Sequence, residues 1–283
     1  MTDDKIARSR LLEKSSHLLS LPPDCLRSNE YSNRREMGLE KIFPDFETLR
    51  AAGFPGIVCS RPVVMIAMTP RTGSTHLCSA LHAAGLTAEP TEIFNPRGPA
   101  ADEAARRSAI TFAAYVAAFA SVPDRVFIFK TSWQDFSPFA DTARHIFPDL
   151  QVVYLDRWNI AAQAVSDFRA KASNLWHRRV GQPLLATVPT PDFDLERIMQ
   201  LLWALQAEKC AWEAWFEAQC IAPIRLRYED FENDVNVALA TLAKGLSVPL
   251  RTDLPPGVGL EKLADATSRD WTLLVQKRLL NMS

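Results

Sequence analysis

The chain has 283 residues, 47% of them hydrophobic and 23% charged, with a net charge of −1, enough apolar mass for one large domain or one domain with a small appendage. The near-neutral balance gives no global basic field and argues against a general affinity for nucleic acid or for an acidic membrane, so any bound anion must be held by a local site. Cys25, Cys59, Cys78, Cys210 and Cys220 are widely spaced and form no CxxC pair, which argues against a disulfide framework or a structural zinc and predicts buried free thiols.

The N-terminus "MTDDKIARSRLLEKSSHLL" is charged throughout and does not read as a secretory signal. Nowhere do about eighteen apolar residues run together, so no membrane span is expected and a cytoplasmic location follows. Residues 1–60 read as an N-terminal helical and loop extension: Leu11, Leu12, Leu18 and Leu19 suggest a short helix that Pro22 and Pro23 end. From residue 61 to 283 the texture is that of the main domain. Strand-like runs occur at "VVMIAM" (63–68), "RVFIFK" (125–130), "QVVYLD" (151–156) and "PIRLRY" (223–228), with helical stretches between them. That alternation predicts an α/β fold of three αβα layers around a mainly parallel sheet.

The helices follow in chain order. "ADEAARRSAITFAAYVAAFA" reads as one apolar-striped helix. Pro189 and Pro191 mark a linker between helices. Between Asp192 and Gln219, the positions Leu195, Ile198, Met199, Leu202, Leu205, Trp212 and Phe216 form one stripe of a long helix, which makes Trp203, Trp212 and Trp215 core residues before ligand platforms. "RYEDFENDVNVALATLAKGL" predicts a capped helix closed by Gly245.

Two loops carry the functional reading. In "VVMIAMTPRTGSTHLCSALHAAG" a strand runs through Arg71, Thr72, Gly73, Ser74 and Thr75 directly into a helix. A turn of this kind gathers unpaired N–H groups at the positive end of the helix dipole, which is an anion site. Gly73 lets the backbone come close, Ser74 and Thr75 offer hydroxyls and cap the helix, and Arg71 adds a fixed charge. An ordinary strand-to-helix connection has a similar composition. The GxxxxGK[ST] form of nucleotide hydrolases needs a Lys that is missing after Gly73. In "VVYLDRWNIAAQAVSDFRAK", Arg157 stands at a second strand end and Ser166 lies about 2.5 turns along the next helix. Two such sites on one edge of a parallel sheet fit a ligand with two well-separated phosphates.

The segments "TPRTGSTHLCSALHAAGLTAEPTEIF" (69–94), "FKTSWQ" (129–134), "DRWNIAAQAVSDFRA" (156–170) and "AWEAWF" (211–216) resemble, in order and separation, the PAPS-dependent sulfotransferases, and within them the bacterial trehalose 2-sulfotransferase type. The resemblance covers about residues 62 to 280 and implies a P-loop-like sulfotransferase fold. It implies 3′-phosphoadenosine 5′-phosphosulfate (PAPS) as donor, PAP as product, and no metal. Arg71, Thr72, Gly73, Ser74 and Thr75 would bind the 5′-phosphosulfate, and Arg157 and Ser166 the 3′-phosphate. The nine-residue step from Arg157 to Ser166 is similar to the trehalose type and favours a carbohydrate or glycolipid acceptor.

Sulfuryl transfer needs a base for the acceptor hydroxyl and cations for the transferring group. The resemblance places Glu92 in the base role, with Glu89 three residues before it as a contact for the acceptor sugar. Two carboxylates at this spacing are expected to raise one another's pKa. Lys130, read as closing its strand beside the loop, either stabilises the sulfuryl group or snorkels at the surface. Trp133 and Trp176 are candidate sugar platforms as well as candidate core residues, and His177 is the other histidine to consider as a base. His76 and His82, six apart, share no helix face and do not read as metal ligands. Arg269, Lys277 or Arg278 of the tail are candidates to close over the nucleotide. Two other readings stay open: a P-loop nucleotide-binding, kinase-like protein and a non-catalytic PAP-binding scaffold. A homodimer is also open, with residues 1–60 as an exchanging arm.

Overall fold

A computed structural model describes residues 38–282 except 87, 120–125, 180, 182–190, 247 and 256–259. The helix expected near Leu11 to Leu19, Cys25 and Pro189 fall outside the described residues. Strands β1 Val63–Met68, β2 Phe127–Ser132, β3 Leu150–Asp156 and β4 Ile224–Arg227 form a parallel sheet in the order β2-β1-β3-β4. The helices in chain order are α1 Phe46–Ala51, α2 Ser74–Ala83, α3 Pro99–Arg106, α4 Phe112–Ala118, α5 Trp133–Phe136 and α6 Ala143–Ile146, then α7 Ile160–Ser173, α8 Leu195–Ala218, α9 Tyr228–Phe231, α10 Asn236–Leu246 and α11 Ala266–Leu280.

Side chains alternate along a strand, so each strand feeds two cores. Val63, Met65 and Ala67 of β1 meet α1, α3 to α6 and the C-terminal half of α8, whereas Val64, Ile66 and Met68 meet α2, α9 and α10. Every residue of β1 is buried, as a strand covered on both faces requires. The three layers expected from the alternation are therefore present. A third cluster joins α7, the first half of α8 and α11 through Ala164, Val165, Ile198, Leu202, Trp271 and Val275. Trp212 and Trp215 are buried, as the stripe predicts, and their indole N–H groups donate to the carbonyls of Met68 (3.1 Å) and Ala140 (3.0 Å). Trp203 is partly buried against the third cluster.

Several expectations change. The stretch 101–120 is broken: Ser108 adopts φ 52°, and Thr111 caps a new helix by accepting from Ala114 N at 3.1 Å. Asp45 adds a bond from Phe112 N at 2.8 Å, so a tertiary carboxylate helps fix where that helix starts. Gly245 lies inside α10, its Cα against Ile224, and does not close the helix. Cys59 and Cys78 are buried, but Cys210 and Cys220 are exposed. Within the segment read as an extension, Leu39, Phe43, Phe46, Phe54 and Ile57 belong to the same core as β1. Among the described residues, no helix is long and apolar enough to cross a membrane.

Helix α11 is moored by Asp265, whose carboxylate accepts from Ser268 N (2.8 Å) and from both terminal nitrogens of Arg169 on α7 (2.6 and 2.9 Å). The Arg169 bonds first, and the Ser268 bonds after them, hold this carboxyl well below the usual carboxylate range. Asp265→Ala should cost about 1 kcal/mol at pH 7, because the carboxylate is half exposed and the pair is screened. In urea titrations that difference should shrink as the pH falls through about 4 and vanish below the folded pKa, since a depressed carboxyl stabilises only while it is ionised.

Candidate active site

The turn after β1 is held from two sides. Thr72 Oγ1 donates to Thr69 O at 3.0 Å, and Gln163 of α7 reaches across to Thr69 Oγ1 (2.8 Å) and Pro70 O (2.6 Å) with its amide nitrogen. Arg71 and Gly73 both take left-handed backbone, φ 66° and 79°. Gly73, and neither hydroxyl residue, is the cap of α2: no side-chain capping bond is made, and Ser74 and Thr75 begin the helix. The N–H groups of the first turn are therefore left without intrahelical acceptors, at the positive end of the dipole. Glycine is required at the cap because a Cβ there would lie 2.5 Å from Cδ2 of Tyr228.

The second cluster lies against the first. Arg157 Nη1 donates to the carbonyl of Arg71 at 3.1 Å, and its guanidinium carbon stands 4.5 Å from the centre of the Tyr228 ring. The Arg71 side chain leaves its own loop: Nε donates to Ser166 Oγ at 2.9 Å and Nη1 to the carbonyl of Trp176. Both arginines are partly buried, and the loss of solvent around their guanidinium groups pulls their pKa down; Asp167 opposes that at Arg71, and Tyr228 and Glu229 oppose it at Arg157. Arg157 Nε is buried without a hydrogen-bond partner among the described residues.

Lys130 does not close its strand, because β2 continues to Ser132. It is a buried residue whose ammonium donates to Thr75 Oγ1 at 2.9 Å and pairs with Glu92 Oε1 at 3.3 Å, so the snorkelling reading fails. Its backbone N–H binds Thr91 O at 3.1 Å, which lays the 89–95 segment beside β2. Asn95 Nδ2 donates to the second oxygen of Glu92 at 2.8 Å. Phe94, fully buried among the rings of Phe112, Phe129 and Phe139, pins the segment two residues on. Glu89 does not follow the expectation of a raised pKa. Burial pushes it up, but bonds from Arg179 Nη2 (2.8 Å) and Ser79 Oγ (2.7 Å) outweigh burial and hold it below the usual carboxylate range.

The remaining expected residues divide. Trp133 is partly buried, with its ring 5.1 Å from that of Trp212, and serves the core. Trp176 is exposed, its indole N–H bonded to Asn174 Oδ1 at 3.1 Å. His177 stands near Lys130, Arg179 and Arg71; local burial first, then those charges, push its pKa down. His76 lies stacked near Phe231, and burial lowers its pKa. Arg269, Lys277 and Arg278 are exposed on α11. Gln163, Tyr228, Lys209 and Arg179 were not singled out by the motifs, since each enters through tertiary contact, and Asn95 enters through a local bond to Glu92. Among the described residues, no group of three or more His, Cys, Asp or Glu is placed to hold a metal.

With this geometry in view, residues 63–277 match the Stf0 sulphotransferase family. The chain belongs to the Stf0 sulfotransferase family. It is 22% identical over 250 residues to a trehalose 2-sulfotransferase of Mycolicibacterium smegmatis, spanning 73% of this chain and 91% of that one. It is likewise 22% identical over 256 residues to a trehalose 2-sulfotransferase of Mycobacterium tuberculosis, spanning 75% and 92%. A solved sulfotransferase from Alicyclobacillus acidocaldarius aligns with a TM-score of 0.44 at 17% identity, over 79% of this chain and 97% of that one. Membership in Stf0 supports sulfuryl transfer as the activity and removes the kinase-like reading. The Stf0 match starts at the first residue of β1 and ends within α11.

Proposed function

We propose that the protein transfers a sulfuryl group from PAPS to a hydroxyl of a carbohydrate or glycolipid acceptor in the cytoplasm, with Glu92 as general base. The observation that carries this reading is the contact of Lys130 with both Glu92 Oε1 and Thr75 Oγ1, which joins a carboxylate to the anion-binding turn. PAPS fits the residues present. The open N–H groups at the start of α2 suit the 5′-phosphosulfate, and the unpartnered Arg157 Nε suits the 3′-phosphate.

When bound, PAPS supplies a sulfur atom whose bond to the 5′-phosphate oxygen breaks as the acceptor oxygen–sulfur bond forms. Glu92 takes the acceptor proton, and Asn95 holds its second oxygen so that the first faces Lys130. Lys130 offers positive charge where the transferring group and the leaving oxygen gather it. Glu89, ionised and bridged to Arg179, accepts hydrogen bonds from acceptor hydroxyls; Trp176 and His177 lie exposed near that side. The two relatives named for trehalose make it the first acceptor to try.

Incubating the purified protein with sulfur-35-labelled PAPS and a panel of sugars and glycolipids tests the reading. Label should appear in at least one carbohydrate; label in none of them, with PAP bound, would favour the scaffold reading. Arg157→Ala should weaken PAP about ten- to hundredfold, the equivalent of about 1.5–3 kcal/mol in charge-assisted bonds. Adenosine 5′-phosphosulfate, which lacks the 3′-phosphate, should bind almost unchanged. Equal losses for the two would contradict the assignment.

A further inference from the structure

Strand β3 ends at Asp156 and Arg157 follows it directly, so a carboxylate stands next to the arginine assigned above to a phosphate. Left uncompensated, that negative charge opposes the ligand. Lys209 of α8 meets both residues. Its ammonium lies 2.6 Å from Asp156 Oδ1, a close ion pair without an aligned hydrogen bond, and donates to the carbonyl of Arg157 at 2.6 Å. Lys209 is well buried, its side chain 13% exposed against 28% for Asp156, so solvent screens the pair only in part. Arg225, the other cation near Asp156, is taken by Glu213 through two bonds of 2.7 Å. The Arg157 guanidinium itself rests on one carbonyl bond and an aromatic face. The aim of that side chain therefore depends on where its backbone is held.

We propose that Lys209 is a positioning residue for donor recognition: it cancels the charge of Asp156 and fixes the Arg157 backbone, so that the guanidinium meets the 3′-phosphate of the nucleotide. This rests on the donor reading given above. Without Lys209 an unpaired, partly buried carboxylate competes at the end of β3 and the carbonyl of Arg157 is untethered. The effect falls mainly on ligands that carry a 3′-phosphate, because Arg157 gives the turn a single bond, to Arg71 O, whereas Gln163 holds Thr69 and Pro70 and Thr72 holds Thr69 without it.

The test is calorimetric titration of the full chain with PAP and with adenosine 5′-monophosphate, which lacks the 3′-phosphate. Lys209→Met should raise the Kd for PAP about tenfold and that for the monophosphate less than about twofold, the scale of coupling between contacting charges. Adding Asp156→Asn to Lys209→Met should restore PAP affinity to within about threefold of wild type, and Lys209→Arg should retain it to the same extent. A structural role alone would weaken both nucleotides equally and give no rescue, which overturns the proposal. Should Lys209→Met fail to fold, Asp156→Asn alone decides: PAP should bind at least as tightly as to wild type, and weaker binding overturns the proposal. Wild-type protein that binds no PAP takes down the donor reading and this inference together. Wild type that binds PAP, with Lys209→Met binding it equally, takes down only the inference.

Discussion

Glu92→Gln should lower turnover about 10²- to 10⁴-fold while changing PAP affinity less than about twofold. The substitution keeps the shape of the side chain and one of the two acceptor oxygens, which serves either Lys130 or Asn95, and it leaves the backbone bond from Lys130 N to Thr91 O intact, so the segment from Thr91 to Asn95 should stay beside β2. It removes the capacity to accept a proton from the acceptor hydroxyl. Initial rates at saturating PAPS measure the first effect, and a thermal shift with PAP measures the second: a ligand at a hundredfold over its Kd adds about 2.7 kcal/mol. Unchanged turnover would take the base role away from Glu92. A parallel loss of PAP affinity would mean that the carboxylate serves the turn through Lys130.

Gly73→Ala should cost about 2 to 5 kcal/mol of stability and weaken PAP binding sharply. The backbone at φ 79° penalises any Cβ by about 1 to 2 kcal/mol. The methyl would also meet Cδ2 and Cε2 of Tyr228 at 2.5 and 2.8 Å, an overpacking worth about 1 to 3 kcal/mol. The ring can relieve that contact only by moving, and Arg157 is seated on its face. Urea midpoints and PAP titrations on the same sample check both effects. A variant that matched wild type in both would show that the turn tolerates a side chain and that the glycine has no steric purpose.

Much of this architecture is written locally. β1, β2 and β3 are short apolar runs whose alternation divides them between two cores, and the Thr69–Thr75 turn follows from a strand, a glycine and a helix in immediate succession. The pairing of Arg157 and Ser166 with that turn came from motif order. The direction of Arg71 was not legible, because it depends on Ser166, 95 residues away. Lys209 is 52 residues from Arg157, and Gln163 is 94 from Thr69, so no periodicity announces either contact. The failed expectation at Glu89 has the same origin: its spacing to Glu92 is local, but Arg179, which decides its charge, is 90 residues on. Helix continuity from 101 to 120 failed because propensity sees the alanines and not Asp45.

Helix α8 holds the ends of two adjacent strands with residues three apart: Lys209 takes the last carbonyl of the β3 corner and Trp212 the carbonyl that ends β1. Three helical residues advance about 4.5 Å, and neighbouring strands lie about 4.8 Å apart. The two distances nearly coincide, so the rise between Lys209 and Trp212 matches the spacing of the strand ends that they hold. One residue inserted between 209 and 212 would leave the two side chains on one face of the helix but lengthen their separation along its axis from about 4.5 to about 6 Å, shifting the strand ends out of step although no residue of either loop had changed.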